Sequence, residues 1–193
     1  DLVVANYGGQ SLVYENDGLG AFIAASVFGG ATDTISCIAL GDMDGDGSLD
    51  IVAGNGTPQA GGQSNVFLND GAGGFSATGD TFGGGADKIV SIALGDIDYD
   101  GDLDAAVANF GGQSVVYLGD GMGNLGSAVN FGGSADNTTA IALGDFDIDG
   151  DLDAEIVTAK QAEQGPRRKP GFEGKGSIVP GRRLVDGGLD PGP

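Results

Sequence analysis

Apolar residues in this chain fall in short runs, β-branched or aromatic in character, and the runs are bounded by turns rich in glycine, asparagine and aspartate. Ser11-Leu12-Val13-Tyr14 and Ser114-Val115-Val116-Tyr117-Leu118 illustrate the pattern. Runs of this length and composition, separated by glycine, favour strands over helices. Four strands fit one unit of the pattern: Thr34 to Leu40, Asp50 to Ala53, Ser64 to Asn69 and about Phe75 to Phe82.

The unit repeats. Ile-Ala-Leu-Gly-Asp occurs at 38–42, 92–96 and 141–145, with Phe-Gly-Gly upstream of each copy (Phe28, Phe82, Phe131), followed by an aspartate (Asp33, Asp87, Asp136). Gly-Gly-Gln-Ser recurs at 8–11, 61–64 and 111–114. Asp1, Asp50, Asp104 and Asp153 are equivalent positions, spaced by 49, 54 and 49 residues, and the longer spacing is mostly a loop insertion, Gly56-Thr57-Pro58-Gln59-Ala60. Four strands in 40 to 50 residues make a propeller blade, whereas a parallel β-helix needs a shorter coil and a sandwich gives no reason for near-identical repeats. The expectation is an all-β fold of four-stranded antiparallel blades, about three per chain, carried by residues 1–158. The pattern starts and stops at the second strand of a blade, thirteen strands in all, while propellers close with about four to eight blades. Self-association is therefore expected, with a dimer of six blades favoured and the last strands of one copy completing the first blade of the other.

Each Ile-Ala-Leu-Gly-Asp runs into a loop of the form D-x-D-x-D-G-x-x-D: 42–50, 96–104 and 145–153. Aspartates at positions 1, 3 and 5 turn inward on a tightly curved backbone, and glycine at position 6 permits the bend. A main-chain carbonyl at position 7 and the aspartate at position 9 complete an oxygen-only cage that suits Ca²⁺, with Mg²⁺ or Mn²⁺ as poorer substitutes. The expected ligands are Asp42, Asp44, Asp46, Ser48 and Asp50 for one ion; Asp96, Asp98, Asp100, Asp102 and Asp104 for a second; and Asp145, Asp147, Asp149, Asp151 and Asp153 for a third, about three Ca²⁺ per chain. An EF-hand loop would be longer, close on glutamate and lie between helices.

With Phe-Gly-Gly upstream and N-D-G-x-G turns downstream, these loops make the repeat region resemble the FG-GAP/VCBS repeats of integrin-type β-propellers. The resemblance implies that the loop joins the first two strands of a blade and binds Ca²⁺. It also implies a parent protein that is extracellular or at the cell surface, where such propellers serve adhesion and the binding of proteins or carbohydrates. It names no ligand, because a fold does not dictate a function.

Charge sharpens the picture. The chain has 193 residues, 40 of them glycine, no histidine and a net charge of −20. Residues 1–159 hold 24 acids and a single base, Lys88, and 14 of those acids sit in the three loops. Without ions that density repels itself, so folding and ion binding should be coupled. Nucleic acid would be repelled, histidine catalysis and histidine-ligated metals are excluded, and no apolar stretch approaches the roughly 18 residues of a membrane span. No signal-peptide pattern follows Asp1, so the chain reads as either a mature fragment or an engineered piece. Residues 159–193, basic and proline-rich, read as a foreign tail or linker.

Single residues have structural readings. Cys37 aligns with Ser91 and Ala140 and reads as a small packing residue. Tyr7, Tyr14 and Tyr117 are expected to pack, and Asn6, Asn55 and Asn109 with Gln10, Gln63 and Gln113 are expected to hold turns. Two functions stay open. One is a calcium-stabilised binding or adhesion module with a protein or glycan ligand; the alternative is a metal-dependent hydrolase of phosphoesters or activated esters, with its site at a blade or subunit junction and no assignable catalytic residue. A catalytic ion needs an open coordination position, and loops that saturate their ion favour the first.

Overall fold

In the computed structural model, residues 1–57 and 60–158 are described. The expected tail, 159–193, lies outside the described residues. Fourteen strands and no helix make up this part of the chain. The first sheet is β1 (Leu2–Val4), β2 (Ser11–Asn16) and β3 (Phe22–Phe28), in that order. The second runs β4 (Ile35–Gly41), β5 (Asp50–Thr57), β7 (Ser64–Asn69), β8 (Phe75–Phe82), with β6 (Ala60–Gly61) paired to β5 alone. The third runs β9 (Ile89–Gly95), β10 (Asp104–Asn109), β11 (Ser114–Gly119), β12 (Leu125–Phe131), and the fourth holds β13 (Thr138–Gly144) and β14 (Asp153–Thr158).

All pairs are antiparallel neighbours, which is the meander of a propeller blade. The register repeats from blade to blade: Gly41 faces Asp50, Gly95 faces Asp104 and Gly144 faces Asp153. Each aspartate loop is thus the turn between the first two strands of its blade. One element differs from expectation. The insertion at 56–60 is not simply a loop, because Gly56 faces Gly61 and Thr57 faces Ala60, so β5 runs on into a short hairpin.

Blades pack through alternate faces of their strands. In β10, Ala105 and Val107 join a core with Val52, Val66, Phe82 and Ile89 of the second sheet and its neighbour, while Ala106 and Ala108 join one with Phe131 and Ile141. All four are wholly buried, as expected for a strand enclosed on both sides. A backbone lock also recurs. Gly8, Gly62 and Gly111, each in a Gly-Gly-Gln-Ser turn, donate their N–H to the carbonyls of Asp33, Asp87 and Asp136 at 2.8, 3.1 and 2.8 Å. The side chains of those aspartates accept the N–H of Gly30, Gly84 and Gly133, each at 2.6 Å, which explains why an aspartate follows every Phe-Gly-Gly.

Cys37 packs against the core between the second and third sheets, in line with its sequence reading. Burial pushes its thiol up to about 11. Thiolate at neutral pH is therefore about a hundredfold scarcer than for a cysteine two units lower. Iodoacetamide at neutral pH should alkylate the folded chain roughly a hundredfold more slowly than the urea-unfolded chain; equal rates would show the thiol to be free.

Candidate metal centres

The loops begin where the first strand of each blade ends, and their own backbone closes them. Asp42, Asp96 and Asp145 at position 1 accept the N–H of the position-6 glycines Gly47, Gly101 and Gly150, at 3.0, 3.1 and 3.1 Å. Those glycines have φ of 91°, 98° and 98°, the left-handed conformation that glycine takes without strain. Position 5 behaves alike in the three loops: Asp46, Asp100 and Asp149 accept the N–H of Ser48, Asp102 and Asp151 at 2.7, 2.9 and 3.0 Å.

Three carboxylates converge in every loop, at positions 1, 3 and 9. Asp42, Asp44 and Asp50 each offer an oxygen within 4.8 Å of the other two, as do Asp96, Asp98 and Asp104, and Asp145, Asp147 and Asp153. Position 5, expected beside them, is not in these triads, and its carboxylate is turned to the position-7 N–H.

Position 9 does more than its spacing implied. Asp104 is fully buried; its Oδ2 accepts the Ile97 N–H at 2.7 Å and its Oδ1 the Gly119 N–H at 2.8 Å. Asp50 holds the N–H of Met43 and Asn69 in the same way, at 2.7 and 2.8 Å. The closing aspartate therefore staples its loop to the far end of the third strand. Each oxygen keeps a lone pair for a cation. Burial raises the carboxyls of Asp50 and Asp104, against the opposing pull of these backbone N–H groups, and neighbouring loop aspartates add to the rise. A raised carboxyl holds its proton longer in the folded chain, so cation affinity should fall as pH falls through that range. The turn aspartates Asp17 and Asp70 go the other way, held low by the N–H groups of Leu19 and Ala21, and of Gly74 and Ala72. They are caps, not ligands.

The donor set fits a hard divalent cation. Oδ1 of Asp42 and Oδ1 of Asp96 are buried with no hydrogen-bond partner, and a buried charged oxygen without a partner is costly. A cation among the three carboxylates removes that cost. The third loop is more open: Asp145 and Asp147 are exposed, and Asp145 Oδ1 accepts the Asp149 N–H at 3.2 Å.

Neighbouring blades hold the loops in place. Leu103 and Leu152 at position 8 lie so close to Gly41 and Gly95 of the preceding blade that a Cβ there would come within 2.7 and 3.0 Å of them. Gly123 donates its N–H to the Met43 carbonyl at 2.9 Å. Tyr99 at position 4 of the second loop donates its hydroxyl to the Gly150 carbonyl of the third. Spacing within a repeat carries no trace of this inter-loop bond.

Position 4 is also strained. Gly45 holds it at φ 73° in the first loop, but Tyr99 and Ile148 sit at 63° and 62°, where a β-branched residue is a clear outlier. Ile148 is 89 % exposed and gives up no packing on truncation. Ile148→Gly should raise the thermal midpoint by about 2–4 °C, roughly 1 kcal/mol; a lower midpoint in a calorimetric scan would refute the strain.

The recurring amides are structural, as expected. Asn6, Asn55 and Asn109 donate from Nδ2 to the carbonyls of Gln10, Gln63 and Gln113, at 2.7, 2.7 and 3.0 Å. Tyr117 is buried, yet Tyr7 is 71 % exposed, against expectation. It lies outside β1 and β2 in an isolated bridge to Thr34, where no sheet face covers it.

The sequence profile of the FG-GAP-like repeat matches residues 1–53 and 46–107, more than half the chain and the first two loops. No curated protein matches the chain. Among the described residues, no helix is long and apolar enough to cross a membrane.

Proposed function

Because the chain belongs to the FG-GAP-like repeat family, we propose that it is a calcium-stabilised binding module whose parent works outside the cell. The observation that carries this reading is the set of three carboxylate triads, two of them with a buried, unpartnered oxygen. Ca²⁺ suits them best, since it accepts six to eight oxygens in flexible geometry while Mg²⁺ demands a near-ideal octahedron. Asp42, Asp44 and Asp50 would hold the first ion, Asp96, Asp98 and Asp104 the second, Asp145, Asp147 and Asp153 the third. The ions then neutralise the loops and fix the ends of the blades, and the blade surfaces are left to contact a ligand.

Applied to arrays of extracellular-matrix proteins and cell-surface glycans, the calcium-loaded chain should bind at least one of them, and chelation should abolish the signal. The same preparation should not turn over aryl phosphates or aryl esters. Turnover restored by a metal and retained in Asp44→Ala would replace the binding reading with the hydrolase.

Pairing of two copies remains our proposal as well. β1 and β14 are each bonded along one edge only within the described residues. They hold the same place in their sheets, so a partner's β13 alone would complete the first blade. Sedimentation should find a dimer at micromolar concentration, and a monomer would contradict it.

A further inference from the structure

A cleft of about 340 Å³ runs along the seam between the first two blades. Phe28 and Asp33 line it from one side, and Asn65, Phe67, Phe75 and Ala77 from the other. It departs from the repeat at one residue above all. Asn65 follows the serine that opens the third strand of its blade, where the other two repeats carry Leu12 and Val115. Val115 is buried in the core, whereas Asn65 is half-buried. No hydrogen bond engages its side-chain amide within the described residues. Asn65 is not among the buried unpartnered groups, so its amide reaches the solvent of the cleft and is free to meet a ligand, at a position where the other two repeats carry an apolar residue.

A second departure opens the space beside it. β8 carries one more residue between its ends, Phe75 and Phe82, than the matching segments Phe22–Phe28 and Leu125–Phe131. The pairing of β7 with β8 shifts register between Asn65 and Phe67, as β2 with β3 does between Val13 and Tyr14 and β11 with β12 between Tyr117 and Gly119, so the added residue and not the bulge sets this blade apart. In the next seam the equivalent residues are Phe82, Val115, Tyr117 and Leu125, all buried in one core, with Phe82 and Tyr117 edge to face at 5.5 Å.

The lining selects a ligand. Phe28 packs edge to face on Phe67 at 5.4 Å and tilts against Phe75 at 6.4 Å, so the floor is rigid and aromatic. Asp33 spends Oδ2 on the Gly30 N–H, and no bond is made to Oδ1 within the described residues. No lysine or arginine lines the cleft, which disfavours an anion. An ammonium ion would use the carboxylate and the amide carbonyl but leave the amide N–H₂ without an acceptor. A polyol uses everything present: hydroxyls donate to Asp33 and to the Asn65 carbonyl, accept from the Asn65 N–H₂, and leave a C–H face for the phenyl rings. The volume lies in the lower range of small-molecule sites.

We propose that this cleft binds one neutral sugar residue of a glycan, an inference that rests on the binding-module reading and names its ligand class. The test is saturation-transfer NMR and calorimetry on the calcium-loaded full chain with methyl glycosides of neutral hexoses and N-acetylhexosamines, and with tetramethylammonium as the cationic probe. At least one glycoside should bind, and tetramethylammonium should not. Asn65→Val installs the residue of the third blade and should keep the thermal midpoint while weakening that glycoside about tenfold or more. Ala77→Tyr, which fills the cleft from an exposed position, should abolish it. No glycoside binding, binding unchanged in Asn65→Val and Ala77→Tyr, or preference for tetramethylammonium would each overturn the proposal. If the array signal of the binding module then persists, that reading stands without this site; if it vanishes too, both fall.

Discussion

Stripping divalent ions with a chelator abolishes the cooperative thermal transition of the chain at low ionic strength, and millimolar Ca²⁺ restores it. Fourteen acids crowd three nine-residue loops, with one lysine to offset them among residues 1–159. In each loop three carboxylate oxygens lie within 4.8 Å of one another. Unscreened like charges at that range oppose the folded loop, and burial of Asp50 and Asp104 adds to the cost. An ion at a hundred times its dissociation constant stabilises the chain by about 2.7 kcal/mol, so three independent ions supply about 8 kcal/mol. That is comparable to the whole stability of an ordinary domain, about 5–15 kcal/mol. The measurement is circular dichroism against temperature with chelator and with Ca²⁺. Midpoints within about 2 °C of each other would remove the ions from the account of folding.

Asp104→Ala should be the most damaging single substitution in the loops, and its damage should not depend on Ca²⁺ alone. The carboxylate accepts two backbone N–H groups, that of Ile97 in its own loop and that of Gly119 at the end of β11, in a fully buried place. Truncation leaves both donors unpaired at about 1–3 kcal/mol each and removes a ligand from the second ion. A loss of about 3–5 kcal/mol is expected. Asp98→Ala is the control. Asp98 is exposed, belongs to the same triad, and should weaken the second ion with little effect on the ion-free chain. Urea denaturation in chelator, with sulfate added to favour the folded state and screen the loops, separates the two. Equal destabilisation of both variants in chelator would mean that Asp104 is no staple.

Features written into one repeat were legible from the chain alone, and features made between repeats were not. The period of Ile-Ala-Leu-Gly-Asp led directly to the blades, because four short strands per period leave few other folds. The loop spacing pointed to positions 1, 3 and 9, which converge. It pointed to position 5 as well, whose carboxylate lies outside these triads and accepts the position-7 N–H, because ligand spacing says nothing of which carboxylate a nearby N–H will claim. The second role of Asp50 and Asp104 was hidden because their donors, Asn69 and Gly119, lie a whole hairpin away. The Tyr99 bond to the third loop and the close approach of Leu103 to Gly41 were hidden for the same reason. Asn65 was visible as a departure from Leu12 and Val115, but only the seam shows that a cleft opens beside it.

Calorimetric titration of Ca²⁺ into the chelator-stripped, desalted chain tests the central claim most directly. Three ions per chain are expected, two of them tighter, because Asp42 and Asp96 have buried oxygens waiting for a cation and the third loop is open. Asp44→Ala should lose one tight ion and keep the other two. Saturation by fewer than two ions, or an unchanged count in Asp44→Ala, would contradict the assignment of these loops as the metal centres that hold the blades together.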